Sequence, residues 1–130
     1  MHGLGNDFMI VKWPPDTPEP ARELIARWAD RREGVGFDQL LIVGAGTPGR
    51  SDASYRVFNA DGGEVEQCGN GARCIAWFLS QEPGTQLSLT SAGGTIDAQV
   101  LSGGFVEVSY GEPDFRPEAL PFKVAHAQLR

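Results

Sequence analysis

Glu66-Gln67-Cys68-Gly69-Asn70-Gly71-Ala72-Arg73-Cys74, running on as Ile75-Ala76-Trp77-Phe78-Leu79, is the stretch that decides how this chain folds. Gly69-Asn70-Gly71 makes a tight entry into a helix, since the glycines allow close backbone approach and asparagine tolerates left-handed geometry. From Ala72 to Leu79 almost every position is apolar. A helix that is hydrophobic on all sides has to be enclosed, and with no second helical layer nearby the sheet must enclose it. Cys68 stands immediately before that helix. There the unpaired N–H groups and the positive end of the helix dipole favour thiolate. An ionised sulfur beside backbone donors takes a proton while the donors hold a carboxylate. A cysteine before a helix is commonly just a small buried hydrophobe. The flanking glycines, and polar segments elsewhere that are suited to ligand contact, favour an acid–base site.

Upstream, Gly3-Leu4-Gly5-Asn6-Asp7 reads as a polar, glycine-spaced loop before a strand Phe8–Trp13. Pro14, Pro15 and Pro18 punctuate a turn, and a helix is predicted from about Thr17 with Pro18 at its first position, ending before Gly34. Its apolar stripe is Leu24, Ile25 and Trp28, with Arg22, Glu23, Arg27, Asp30 and Arg31 outward, so it covers a sheet. Gly34-Val35-Gly36-Phe37-Asp38-Gln39 is a second glycine-spaced loop, feeding a buried strand Leu40–Val43. After an irregular stretch from Gly44 to Ser51, Tyr55–Asn59 alternates as a strand and Asp61-Gly62-Gly63 turns. Downstream of the helix, Leu87–Thr90, Thr95–Leu101 and Phe105–Tyr110 alternate between glycine turns and predict an antiparallel meander. The expected fold is α+β: a curved, mostly antiparallel sheet wrapped around one buried central helix, with one outer helix.

At 130 residues the chain suits one compact domain, and its 41% hydrophobic and 22% charged residues are ordinary for a globular protein. The domain is read as residues 1–117, and 118–130 as an exit segment carrying Pro121. A net charge of −6 without a Lys/Arg run argues against nucleic acid as a partner. Lys12 and Lys123 are the only lysines, which leaves little scope for a Schiff-base cofactor. No apolar run approaches membrane-spanning length, and MHGLGNDF is not a secretory signal. Cys68 and Cys74 lie more than a helical turn apart, a doubtful separation for a disulfide. There is no second cysteine pair and the two histidines, His2 and His126, sit near opposite ends, so no metal site is expected. Reduced thiols point to the cytoplasm.

Four polar segments suit one site: Asn6-Asp7, Asp38-Gln39, Asn59-Ala60-Asp61 and Cys68-Gly69-Asn70. Asn6, Gln39 and Asn59 offer paired donors and acceptors without charge. Such amides suit a zwitterionic amino acid, binding its ammonium and carboxylate without neutralising Cys68. Any one asparagine in a loop more commonly satisfies its local backbone. Three of them in separate turn-flanked segments favour ligand binding.

At these residues the chain resembles diaminopimelate epimerase. The similar stretches are MHGLGNDF at 1–8, GVGFDQLLIV at 34–43, YRVFNADGGEVEQCGNGARCIAWF at 55–78 and the run from Gly104 to Pro117. The resemblance implies two cysteines flanking the substrate α-carbon, one removing a proton and the other returning it on the opposite face, with no cofactor. It makes Cys68 one of that pair and Asn6, Gln39, Asn59, Gly69 and Asn70 substrate-binding residues. It also implies two halves, each a sheet around a central helix, with the site in the cleft between them.

Members of that family run to about twice this length, and their second half brings the other cysteine. Cys74 lies about one and a half turns into the helix and reads as a packed core residue. The chain is therefore expected to be the N-terminal half, lacking its C-terminal half as partner and inactive alone. Two other readings stand beside this one. Proline racemases and phenazine-pathway isomerases have a similar fold, so the substrate is one open question. The other reading is a non-catalytic binding module whose open half-cleft self-associates, a second copy of the chain being one partner.

Overall fold

A computed structural model describes residues 1–111 and 114–116. The domain boundary expected at 117 and the exit segment 118–130 lie outside the described residues. The elements are β1 (His2–Gly3), β2 (Asn6–Lys12), α1 (Arg22–Ala29), β3 (Gln39–Ala45), β4 (Ala53–Asn59), β5 (Glu64–Val65), α2 (Gly69–Leu79), β6 (Gln86–Ser91), β7 (Gly94–Val100) and β8 (Val106–Ser109). The sheet runs β1-β2-β3-β4-β6-β7-β8, and β5 pairs with β4.

Most pairings are antiparallel, and β6, β7 and β8 form the meander that their alternation predicts. Two are parallel: β2 with β3, and β4 with β6. A parallel pair needs a long crossover connection, and each crossover here carries a helix, α1 in the first and α2 in the second.

The central strands of the sheet pack on both faces. On one face Ile25 and Ala29 of α1 pack with Phe37, Leu40, Ile42 and Phe58. On the other, Ala72, Ile75 and Ala76 of α2 pack with Phe8, Leu41, Val57 and Ile96. Leu40, Leu41, Ile42 and Val43 are all buried because successive side chains of β3 serve the two cores in turn.

Two expectations are corrected. The outer helix begins at Arg22, not near Thr17. Pro18 and Pro20 push the residues before them, Thr17 and Glu19, toward extended backbone, so the helix starts only beyond the second proline. The central helix is not enclosed all round either, since Phe78 is 39% exposed. The sheet stops short of closing, and a hollow bordered by Met1, Leu4, Cys74, Trp77 and Phe105 opens between β1 and the approach to β8.

Candidate active site

Cys68 is the N-cap of α2, in extended backbone at φ −143° and ψ 114°. Its carbonyl accepts the first helical bond from Ala72 N–H at 2.8 Å. Its Sγ accepts from Gly71 N–H at 3.4 Å. The sulfur thus takes the third amide of the helix start. The N–H groups of Gly69 and Asn70 have no intrahelical acceptor, by the geometry of any helix start.

A side chain at either glycine beside Asn70 would meet a neighbour. A Cβ on Gly71 would stand 3.1 and 3.2 Å from the two Leu41 methyl carbons, so the first turn of α2 rests directly on β3. The space that a Cβ on Gly69 would need is occupied by the Tyr110 hydroxyl, just beyond β8.

The amides converge through the two-residue period of the strands. Phe8, Leu41 and Val57 face the α2 core. Asn6, Gln39 and Asn59 each lie two positions from one of them, on the same face and at the same end of the sheet. Phe8 is the register partner of Gln39, and Gln39 that of Asn59. Gln39 Nε2 donates to Asn59 Oδ1 at 2.9 Å, while Gln39 Oε1 is buried with no partner. Asn70 Nδ2 donates to Asn6 Oδ1 at 3.1 Å, tying the helix start to the start of β2.

The acidic neighbours in the same segments turn the other way. Asp7 and Asp38 both pair with Arg31 at 2.9 Å. Asp38 also accepts from Asp7 N–H at 2.8 Å, and this bond, with Arg31 second, holds its carboxyl below the ordinary range. Asp61 pairs with Arg22 at 2.8 Å. Two amide pairs therefore form on the α2 face of the sheet, Asn6 with Asn70 and Gln39 with Asn59, while the carboxylates of the same segments turn toward α1 or the surface.

Cys74 is buried, and a Cβ on Gly3 would lie 3.2 Å from its Sγ. Burial pushes its thiol up, with the N-terminus of the chain acting the other way. Both cysteines are free. Three residues at the site escape sequence reasoning. Arg73 hydrogen-bonds the Asn70 side-chain oxygen. Its signal was present, as the lone cation of an apolar helix one turn from Asn70. Tyr110 follows a strand with no local mark of its destination. Tyr55, a core residue of β4, has its phenol raised chiefly by burial, with Tyr110 and Cys68 adding to the shift and Ser91 opposing it.

Among the described residues no three His, Cys, Asp or Glu side chains gather as a metal site. Nor is any helix there long and apolar enough to cross a membrane.

The family model described as diaminopimelate epimerase matches residues 1–116. Over 125 residues the chain is 47% identical to a diaminopimelate epimerase of Neisseria meningitidis serogroup A, covering 94% of this chain and 44% of that protein. The chain thus spans less than half the length of that relative. In fold it is similar to a hydroxyproline epimerase of Agrobacterium vitis, with a TM-score of 0.57, 17% identity, and 78% and 36% of the two chains covered. It is likewise similar to a phenazine biosynthesis protein of Bacillus anthracis, with a TM-score of 0.54, 24% identity, and 83% and 35% covered.

Proposed function

This chain belongs to the diaminopimelate epimerase family, and on that premise we propose that it carries one half of the site of an amino-acid epimerase interconverting LL- and meso-diaminopimelate. The observation that carries the reading is the sulfur of Cys68 at the start of α2, held by Gly71 N–H, with the Asn6–Asn70 pair tying the same helix start to β2 and the Gln39–Asn59 pair on the same face of the sheet.

In this reading the substrate carboxylate lies against Gly69 and Asn70 N–H, as anions do at helix starts. The Cys68 thiolate takes the α-proton, and the electron pair of the broken C–H bond moves onto the α-carbon and carboxylate. Donors already aimed at that carboxylate stabilise the new charge without reorganising, so no cofactor is needed as an electron sink. A thiol on the opposite face then protonates the carbon and completes inversion. Cys68 serves as base in one direction and acid in the other. Asn6, Gln39 and Asn59 bind the polar ends of the substrate.

The opposite thiol comes from outside this chain in the proposal. Cys74 is buried against Gly3 inside the domain and cannot reach the far face of a substrate at the helix start. The same observation favours a second reading for the isolated 130 residues, namely binding without inversion.

The test is α-proton exchange of LL- and meso-diaminopimelate in D2O, followed by NMR, with Cys68→Ser as control. Cys68-dependent exchange supports the proposed base and pocket. Exchange no faster than in Cys68→Ser removes catalysis from this chain on its own.

A further inference from the structure

Asn6 and Asn70 present a question that their positions alone leave open. A carboxamide is a donor at one end and an acceptor at the other, and turning it over exchanges the two. Which end of Asn6 meets a ligand therefore depends on what fixes its orientation.

Arg73 supplies the fixed point. It lies three residues after Asn70 on α2, hence on the same helix face. Arg22, Arg31, Arg56 and Arg116 are all held by carboxylates. Arg73 instead donates to the uncharged Oδ1 of Asn70. A guanidinium has donors and no acceptor. Only the oxygen of Asn70 can face it, so the NH2 group of Asn70 faces Asn6. That NH2 group needs an acceptor and finds Asn6 Oδ1 at 3.1 Å. The orientation passes along the row, and the NH2 group of Asn6 is left at the end, unused by this chain of hydrogen bonds.

We propose that Arg73 is a positioning residue whose donor-only side chain sets the polarity of the Asn70–Asn6 pair, so that Asn6 offers a hydrogen-bond donor to a substrate carboxylate. The inference rests on Asn6 facing the substrate as proposed above. It adds a division of labour. The Asn6 side joins the helix-start N–H groups as a donor surface for carboxylate. In the same proposal the unpartnered Gln39 Oε1 is the acceptor assigned to the ammonium. An amino acid then binds in one orientation about its α-carbon, as a stereochemical reaction requires.

The test uses the 130-residue chain labelled with 15N-asparagine. In the absence of ligand, the Asn70 NH2 protons should be protected from exchange and the Asn6 NH2 protons should not. Arg73→Lys keeps a donor-only head group and should preserve that pattern. Arg73→Gln can both donate and accept, and should equalise protection at the two amides. Titration with meso-diaminopimelate should then give a Kd raised about tenfold in Arg73→Gln, the loss of roughly one hydrogen bond, and little changed in Arg73→Lys.

Should Arg73→Gln fail to fold, Asn70→Asp asks the same question from the other end. The new carboxylate still pairs with Arg73 but has no donor for Asn6, whose amide should turn over and become protected. Protection of Asn6 and not Asn70 in the wild type would overturn the proposal. So would an Arg73→Gln variant with wild-type protection and affinity. A wild type that shows the amide pattern but binds no diaminopimelate sinks the substrate reading and leaves the polarity assignment standing.

Discussion

Gln39 and Asn59 are register partners on β3 and β4, and the 2.9 Å bond from Gln39 Nε2 to Asn59 Oδ1 leaves Gln39 Oε1 buried without a donor. A buried acceptor left unsatisfied costs about 1–3 kcal/mol, so the free chain holds this group at the expense of stability. Gln39→Leu is expected to leave the urea midpoint unchanged or raise it, while weakening diaminopimelate binding about tenfold or more. Denaturation and calorimetric titration of the same samples check both halves. A clear loss of stability would mean that Oε1 is satisfied within the protein.

Gly71 is the third residue of α2, where alanine would be favoured over glycine by up to about 1 kcal/mol. A Cβ would force the methyl carbons of Leu41, 3.1 and 3.2 Å away and fully buried, to give way inside a packed core, so the overpacking cost of about 1–3 kcal/mol should win. Gly71→Ala is expected to destabilise the wild type. On a Leu41→Ala background the same change should stabilise, because the clash is gone and helix propensity remains. A cycle with no change of sign would put the origin of the glycine elsewhere.

The two thiols should separate chemically. Cys68 is half-buried at the helix start, whereas Cys74 is 5% exposed with its thiol pushed up by burial. Iodoacetamide is expected to place one adduct on the native chain, at Cys68, and a second only on unfolding. Mass spectrometry of digests decides it, and comparable labelling of Cys74 would contradict the packing described above.

Cys74 also predicts an alkaline limb. Its folded pKa lies above the ordinary 9.0, so the fold favours the neutral thiol. That contribution is fully present below about 9 and is lost as pH rises through the folded value. Tyr55 adds a similar loss above its ordinary 10.0. Cys74→Ala should cost about 1–2 kcal/mol at neutral pH and lose less stability than the wild type from pH 9 upward. Urea midpoints across pH 7–10.5 measure both effects.

At the acid end, Asp38 is held below its ordinary 3.8 by the Asp7 amide and by Arg31. A depressed carboxylate stabilises the fold above its unfolded pKa, and that stability is lost as pH falls through the folded value. Asp38→Asn should therefore show a shallower loss of stability below about pH 4. The pairs to Arg31 are exposed, so the effect is small and the Arg31 share should shrink in high salt. An unchanged acid limb would remove Asp38 from the clamp that seats the first residues of β2 and β3.

Glycine spacing, alternation and an unbroken apolar helix are local signals. They are why the central helix, the meander, the Cys68 helix start and the three amide positions were legible from the residues alone. Family membership rests on similarity along residues 1–116. What the tertiary structure decided is direction. Asn6 and Asp7, or Asp38 and Gln39, are adjacent in sequence, yet in each pair the amide lies on the α2 face of the sheet and the carboxylate turns to Arg31. The choice follows from strand register against neighbours far along the chain, where a shift of one residue reverses every side chain. The parallel pairings at α1 and α2, the open flank at Phe78, the approach of Tyr110 to Gly69 and the hold of Arg73 on Asn70 arise in the same way. Each depends on which surfaces meet, and a sequence lists surfaces without saying which of them will touch.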